Sequence, residues 1–119
     1  MRVRQFEDIV WGAAATVIMI RGTGRDPKTD AIVFEAAGTL WFDLETERLQ
    51  FRTHRDGRSV AADVEIKPDT MVWGFVVPGG RVRYTIALTD ETWHETGDFV
   101  REGVSPVRTI EMRLRRSPK

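Results

Sequence analysis

From Leu40 to Phe99 the chain alternates apolar and polar residues with period two, and each turn keeps the apolar positions of one strand in line with those of the next. Period two sends successive side chains to opposite faces of a strand. Asp56-Gly57 is the sharpest case. Read as a two-residue hairpin turn with φ > 0 at both centres, it sets Phe51 opposite Ala62. A slip of one residue would invert every side chain, so the agreement across successive turns predicts an antiparallel meander.

The pattern predicts nine strands. The first covers about Val3 to Trp11 and has mixed parity. The second covers Thr16 to Arg21 and is apolar on both faces, which fits a strand covered on both sides or a short buried helix through Ala13-Ala14-Ala15. Residues 22–28, with Gly22, Gly24 and Pro27, read as a loop. The third strand, about Ala31 to Asp43, carries Ile32, Phe34, Ala36, Gly38, Leu40 and Phe42 on one face, and Gly38 in mid-strand suggests a bulge or bend. Leu44-Glu45-Thr46-Glu47 turns the chain so that Phe42 meets Leu49. Lys67-Pro68-Asp69-Thr70 sets Ile66 opposite Met71 and Val64 opposite Trp73. Pro78-Gly79-Gly80-Arg81, read as a four-residue turn, sets Val77 opposite Val82, Phe75 opposite Tyr84 and Trp73 opposite Ile86. Thr89-Asp90-Glu91-Thr92 brings Leu88 to Trp93 and places Arg83 across from Asp98 on the outer face. The last strand, about Val107 to Arg115, has Ile110, Met112 and Leu114 on one side.

One face is apolar in strand after strand, and no helix pattern is available to cover it. Twist makes so wide a sheet curl, and closure removes its edges. The expected fold class is therefore all-β, an antiparallel up-and-down meander of about nine strands forming a barrel; two packed meander sheets are the alternative.

The inward lining then includes Phe34, Phe42, Phe51, Met71, Trp73, Phe75, Tyr84, Trp93, Phe99 and Met112. A small barrel can be packed solid with such residues or can hold one small ligand. Glu95 is the informative exception. It shares the apolar parity of Trp93 and Gly97, with Ile86 expected beside it and Met112 near it. A carboxylate there loses hydration, and its pKa rises unless it is paired; it could act as a general acid or base, or hold a ligand hydroxyl or amine. Glu95 could equally stand in solvent at the mouth, or be matched by an inward Arg108 or Arg21. Tyr84 adds a phenolic hydroxyl to the same wall, or reaches solvent at the rim.

Composition narrows the field. The 119 residues fit a single domain over 1–119, with residues 1–15 weakest in pattern and 116–119 a flexible tail. Hydrophobic content of 41% and charged content of 30% are ordinary for a globular protein. The formal net charge is zero, which gives no field for nucleic acid or an anionic membrane. The absence of cysteine excludes disulfides, thiolate metal sites and a cysteine nucleophile, and suits a cytoplasmic setting. Arg2 and Arg4 before an apolar stretch hint at a secretory signal, but Glu7 and Asp8 interrupt it. The uncharged run from Ile9 to Ile20 is too short to span a bilayer. His54 and His94 both have outward parity and lie far apart, so neither a metal cluster nor a Ser-His-Asp arrangement is expected, and no cofactor is implied.

Trp73-Gly74-Phe75, Val82-Arg83-Tyr84-Thr85, Trp93-His94-Glu95-Thr96-Gly97 and Ile110-Glu111-Met112-Arg113-Leu114 together resemble the C-terminal part of small bacterial barrels similar to the calycins. That group holds lipocalins, fatty-acid-binding proteins and nitrobindin. The resemblance covers about Gly22 to Arg116 and implies a barrel around a small hydrophobic molecule. Two features depart from it. Lipocalin-like chains open on Gly-x-Trp, whereas this one has Trp11-Gly12; that departure leaves open whether an opening strand is missing, and a missing strand would leave an edge that a second subunit, a homodimer, could cover. Nitrobindin-like proteins hold haem through an inward histidine, and neither histidine here has that parity.

The leading expectation is binding of a small hydrophobic or amphipathic molecule. Its contacts would be Phe34, Phe51, Met71, Trp73, Phe75, Tyr84, Trp93, Phe99 and Met112, with Glu95 and Arg108 at the polar end. One alternative is an isomerase or cyclase with Glu95 as its acid/base. The other is a solid-cored barrel that works through association of identical copies.

Overall fold

The structure, a computed structural model, describes residues 2–117. Nine strands follow one another: β1 (Arg4–Gly12), β2 (Val17–Arg25), β3 (Ile32–Asp43), β4 (Arg48–Arg55), β5 (Arg58–Lys67), β6 (Thr70–Val77), β7 (Gly80–Leu88), β8 (Thr92–Val100) and β9 (Val107–Arg115). Each is antiparallel to its sequence neighbours, in the order β1 to β9. No helix occurs among the described residues, so none is long and apolar enough to cross a membrane. Met1, Pro118 and Lys119 lie outside the described residues, and with them the end of the expected tail. Arg116, at its start, donates its backbone N–H to Glu91 O at 2.8 Å. The chain divides into two compact units, Met1–Ala62 and Asp63–Lys119.

In the first unit the Asp56-Gly57 turn is as the sequence dictates. Arg55 pairs with Arg58 and Phe51 with Ala62, with φ of 52° at Asp56 and 76° at Gly57. The Leu44–Glu47 turn likewise sets Phe42 opposite Leu49. Three expectations change here. Ala13-Ala14-Ala15 is not helical; its residues have φ of 46°, 57° and 64°, a left-handed corner between β1 and β2. Gly22 to Arg25 are strand and not loop, paired with Arg4 to Glu7 on β1 and, on β3, with Phe34 to Ala36 and, after a register shift, Ile32. Gly38 holds regular pairing on both sides and makes no bulge. Its missing side chain makes room for Phe51, whose Cε1 lies 2.8 Å from where a Cβ would stand.

In the second unit the pairs Ile66–Met71, Val64–Trp73, Leu88–Trp93 and Arg83–Asp98 follow the expected register. The β6–β7 hairpin does not. Its loop is the two residues Pro78-Gly79, with Val77 opposite Gly80, Phe75 opposite Val82, Trp73 opposite Tyr84 and Met71 opposite Ile86. Proline followed by glycine at φ 82° fills both centres of a tight turn, so Gly80 and Arg81 are freed to extend β7. The register moves by two residues, which preserves the face of every side chain. Ile86, 3% exposed, is the most deeply buried apolar side chain named in this unit. Removing a side chain of this kind from water contributes about 1.5–3 kcal/mol.

Candidate functional site

The second unit gathers most of the expected lining on one face. Opposed residues on neighbouring strands form rows across the sheet. One row runs Val64, Trp73, Tyr84, Gly97, Ile110, and the next runs Ile66, Met71, Ile86, Glu95, Met112. In the first row the Trp73 and Tyr84 rings stack with centroids 4.2 Å apart and planes 18° apart, and Phe75 lies 6.2 and 6.5 Å from them. The corrected register makes this stack possible, because Tyr84 stands directly opposite Trp73 and not Phe75. Gly97 completes it: a Cβ there would stand 2.9 Å from Tyr84 Cε1, so the phenol ring lies close over the β8 backbone.

Glu95 is buried, at 7% exposure, between Ile86 on β7 and Met112 on β9. A buried carboxylate needs hydrogen-bond donors. Trp93, two residues earlier on the same face, donates its indole N–H to Glu95 Oε1 at 3.0 Å. The indole thereby orients the carboxylate, from a residue paired with Leu88 on β7 and Leu114 on β9. Phe99 closes the same face next to Val82, with the Arg101 guanidinium 5.6 Å from its ring.

Arg108 is placed elsewhere. Simple alternation from Ile110 puts it inward, but Gly97 pairs with Ile110 while Asp98 pairs with Arg108, so Thr109 is an extra residue on β9. That bulge turns Arg108 to the outer face, where its Nε donates to Asp98 Oδ1 at 2.7 Å. Thr109 donates its hydroxyl to Gly97 O at 3.1 Å. Asp98, its side chain 14% exposed, also faces Arg83 Nη2 at 3.9 Å. Arg21, the other cation expected near Glu95, instead faces Asp8 at 3.4 Å. His94 lies on the outer side as expected; its Nε2 is shielded from water and 3.5 Å from Glu111 Oε2, without the geometry of a hydrogen bond.

Phe34 and Phe51 belong to the first unit. Phe34 lies under the Arg55 guanidinium, 4.2 Å from the ring centroid, and Phe51 is buried over Gly38. That unit also holds a polar pair that the mixed parity of β1 concealed. Gln5 and Glu7 share a face with Gly22 and Gly24 of β2. The Gln5 amide donates to Glu7 Oε1 at 3.3 Å, and that oxygen lies 2.9 Å from where a Gly22 Cβ would be. Burial pushes the Glu7 carboxyl above its ordinary range; the Gln5 hydrogen bond opposes the shift and the Asp8 charge adds to it. The signal was present in the sequence, since Gln5 and Glu7 share the parity of Val3, Ile9 and Trp11.

Among the described residues no group of three histidine, aspartate or glutamate side chains is placed to hold a metal ion. Comparison with models of known families, with curated proteins and with solved structures gives no match for this chain.

Proposed function

We propose that the protein is a small calycin-like barrel that binds a hydrophobic or amphipathic small molecule, in the cytoplasm. The observation that carries this reading is the buried Glu95 carboxylate, set by the Trp93 indole one row away from the stacked Trp73 and Tyr84 rings. Opposed rows of one face lie about 7 Å apart, two residues at ~3.4 Å each. A molecule with an apolar body against the rings and a hydrogen-bond donor at the carboxylate fits that spacing. A ligand hydroxyl or amine suits a carboxylate that is ionised and so accepts only, whereas a ligand carboxylate would then meet like charge.

The test uses decylamine, decanol and decanoate, each titrated below its micelle threshold while tryptophan fluorescence is followed. The amine and the alcohol should bind saturably and more tightly than the acid. Glu95→Gln should narrow that preference while leaving the fold, read by circular dichroism, intact. Absence of saturable binding of all three, or an unchanged preference in Glu95→Gln, overturns the proposal.

A further inference from the structure

Strand β1 stands at one end of the strand order, with β2 as its ladder neighbour among the described residues. An end strand presents backbone donors and acceptors to whatever pairs with it. This one is also apolar on both faces and poorly covered: Phe6 is 47% exposed, and the run Ile9-Val10-Trp11 is 48%, 57% and 66% exposed. Scattered apolar residues need no explanation, but a contiguous run of them on an end strand does.

We propose that β1 pairs antiparallel with β1 of a second copy of this chain, with Phe6 opposite the partner's Phe6. The charges on β1 favour that register. In an isologous pairing each residue meets a fixed opposite number, and both faces must agree. With Phe6 on the two-fold axis, Arg4 faces Asp8, Gln5 faces Glu7 and Val3 faces Ile9, each pair occurring twice. The outer face then holds an aromatic pair flanked by two opposite-charge pairs, and the inner face holds amide–carboxylate and apolar pairs. Other registers lose this match. Centring on Glu7 or on Asp8 sets like carboxylates face to face, and centring on Arg4 sets two guanidiniums together. Centring on Gln5 places Val3 opposite Glu7. Odd registers bring the outer face of one strand against the inner face of the other. Charged residues on an end strand ordinarily discourage pairing; here they discourage the registers centred on Arg4, Glu7 and Asp8 and favour the one centred on Phe6. Arg21 already lies 3.4 Å from Asp8, so the partner's Arg4 would join a pair that is in place. The inference does not depend on what the second unit binds.

The sequence has no cysteine, so a single introduced thiol reports this register without interference. Phe6→Cys places two thiols directly opposite each other, whereas Val10→Cys leaves them about 27 Å apart, eight residues at ~3.4 Å. Sedimentation velocity of the full chain should show a dimer. Under mild oxidation Phe6→Cys should cross-link about tenfold or more faster than Val10→Cys, since a disulfide needs Cα atoms within about 7 Å. Phe6→Lys, at a half-exposed position, should sediment as a folded monomer. A monomeric wild type, a dimer indifferent to Phe6→Lys, or equal cross-linking at the two positions overturns the proposal.

Discussion

The Tyr84 ring lying over Gly97 makes Gly97→Ala the sharpest probe of the second unit. The added methyl carbon would stand 2.7 Å from Ile110 Cγ2, 2.9 Å from Tyr84 Cε1 and 3.0 Å from Tyr84 Cδ1. Carbon atoms come to rest at about 3.5–4.0 Å, so both neighbours must retreat by half an ångström or more. Tyr84 cannot withdraw freely, because the Trp73 ring is stacked against it at 4.2 Å. Forcing a methyl into such a contact costs about 1–3 kcal/mol. Replacing glycine in the unfolded chain returns about 0.4–1 kcal/mol. The net expectation is a loss of about 1–2 kcal/mol, or a Tm lower by about 3–8 °C for a chain of this length. Urea unfolding followed by circular dichroism gives the value directly, with the midpoint shifting and the slope unchanged. The decisive measurement is the double-mutant cycle. In a Tyr84→Val background the part of the cost that the ring imposes should vanish, leaving the part imposed by Ile110. A neutral or stabilising Gly97→Ala, or a cost that is unchanged without Tyr84, would refute the placement of the ring.

Two further outcomes follow from local geometry. Ala14, at φ 57° in the middle of a left-handed alanine corner, carries a conformational cost that glycine does not; Ala14→Gly should raise stability by about 1 kcal/mol in the same urea assay, against the usual direction of such a change. Glu7, its pKa raised above 4.5 by burial, costs the folded state stability wherever it is ionised. That state binds the proton more tightly than the unfolded chain does, so the cost is absent below pH 4.5, grows as pH rises through the raised value and is complete above it. Glu7→Gln should therefore raise Tm at neutral pH and lose that advantage in acid; a gain independent of pH would count against burial as the cause.

The meander was legible because alternation and turn length constrain each other. Phe51 with Ala62, Val64 with Trp73 and Leu88 with Trp93 all follow from counting residues across a turn. The count fails where turn length is ambiguous. Pro78-Gly79-Gly80-Arg81 reads equally as a four-residue loop or as a two-residue loop followed by strand, and only the backbone decides between them. Glu95 survived that error because a shift of two residues keeps parity. Arg108 did not survive the extra residue Thr109, because a shift of one reverses parity. Sequence alternation carries no mark for such a bulge: Arg108, Ile110, Met112 and Leu114 keep perfect spacing while the backbone turns one of them over.

The glycines show why local composition misleads here. Gly22 and Gly24 read as loop residues and Gly38 as a bend, yet all three sit within strands beneath a neighbour's side chain, Gly24 just before a register shift against β3. Glu7 lies over Gly22, Val3 over Gly24 and Phe51 over Gly38, and in the second unit Tyr84 lies over Gly97 in the same way. Each glycine weakens its strand by roughly 0.5–1 kcal/mol relative to alanine, which the side chain lying across it can offset by burial. The arrangement lets a large or charged side chain lie flat along the sheet where it would otherwise stand upright. For Tyr84 that posture exposes a ring face to Trp73; for Glu7 it brings a carboxylate down over Gly22 beside the Gln5 amide. A mid-strand glycine in this chain is therefore better read as the floor under a residue on the adjoining strand than as a break in its own, and the residue above it is where an unusual contact or a shifted proton affinity is to be sought.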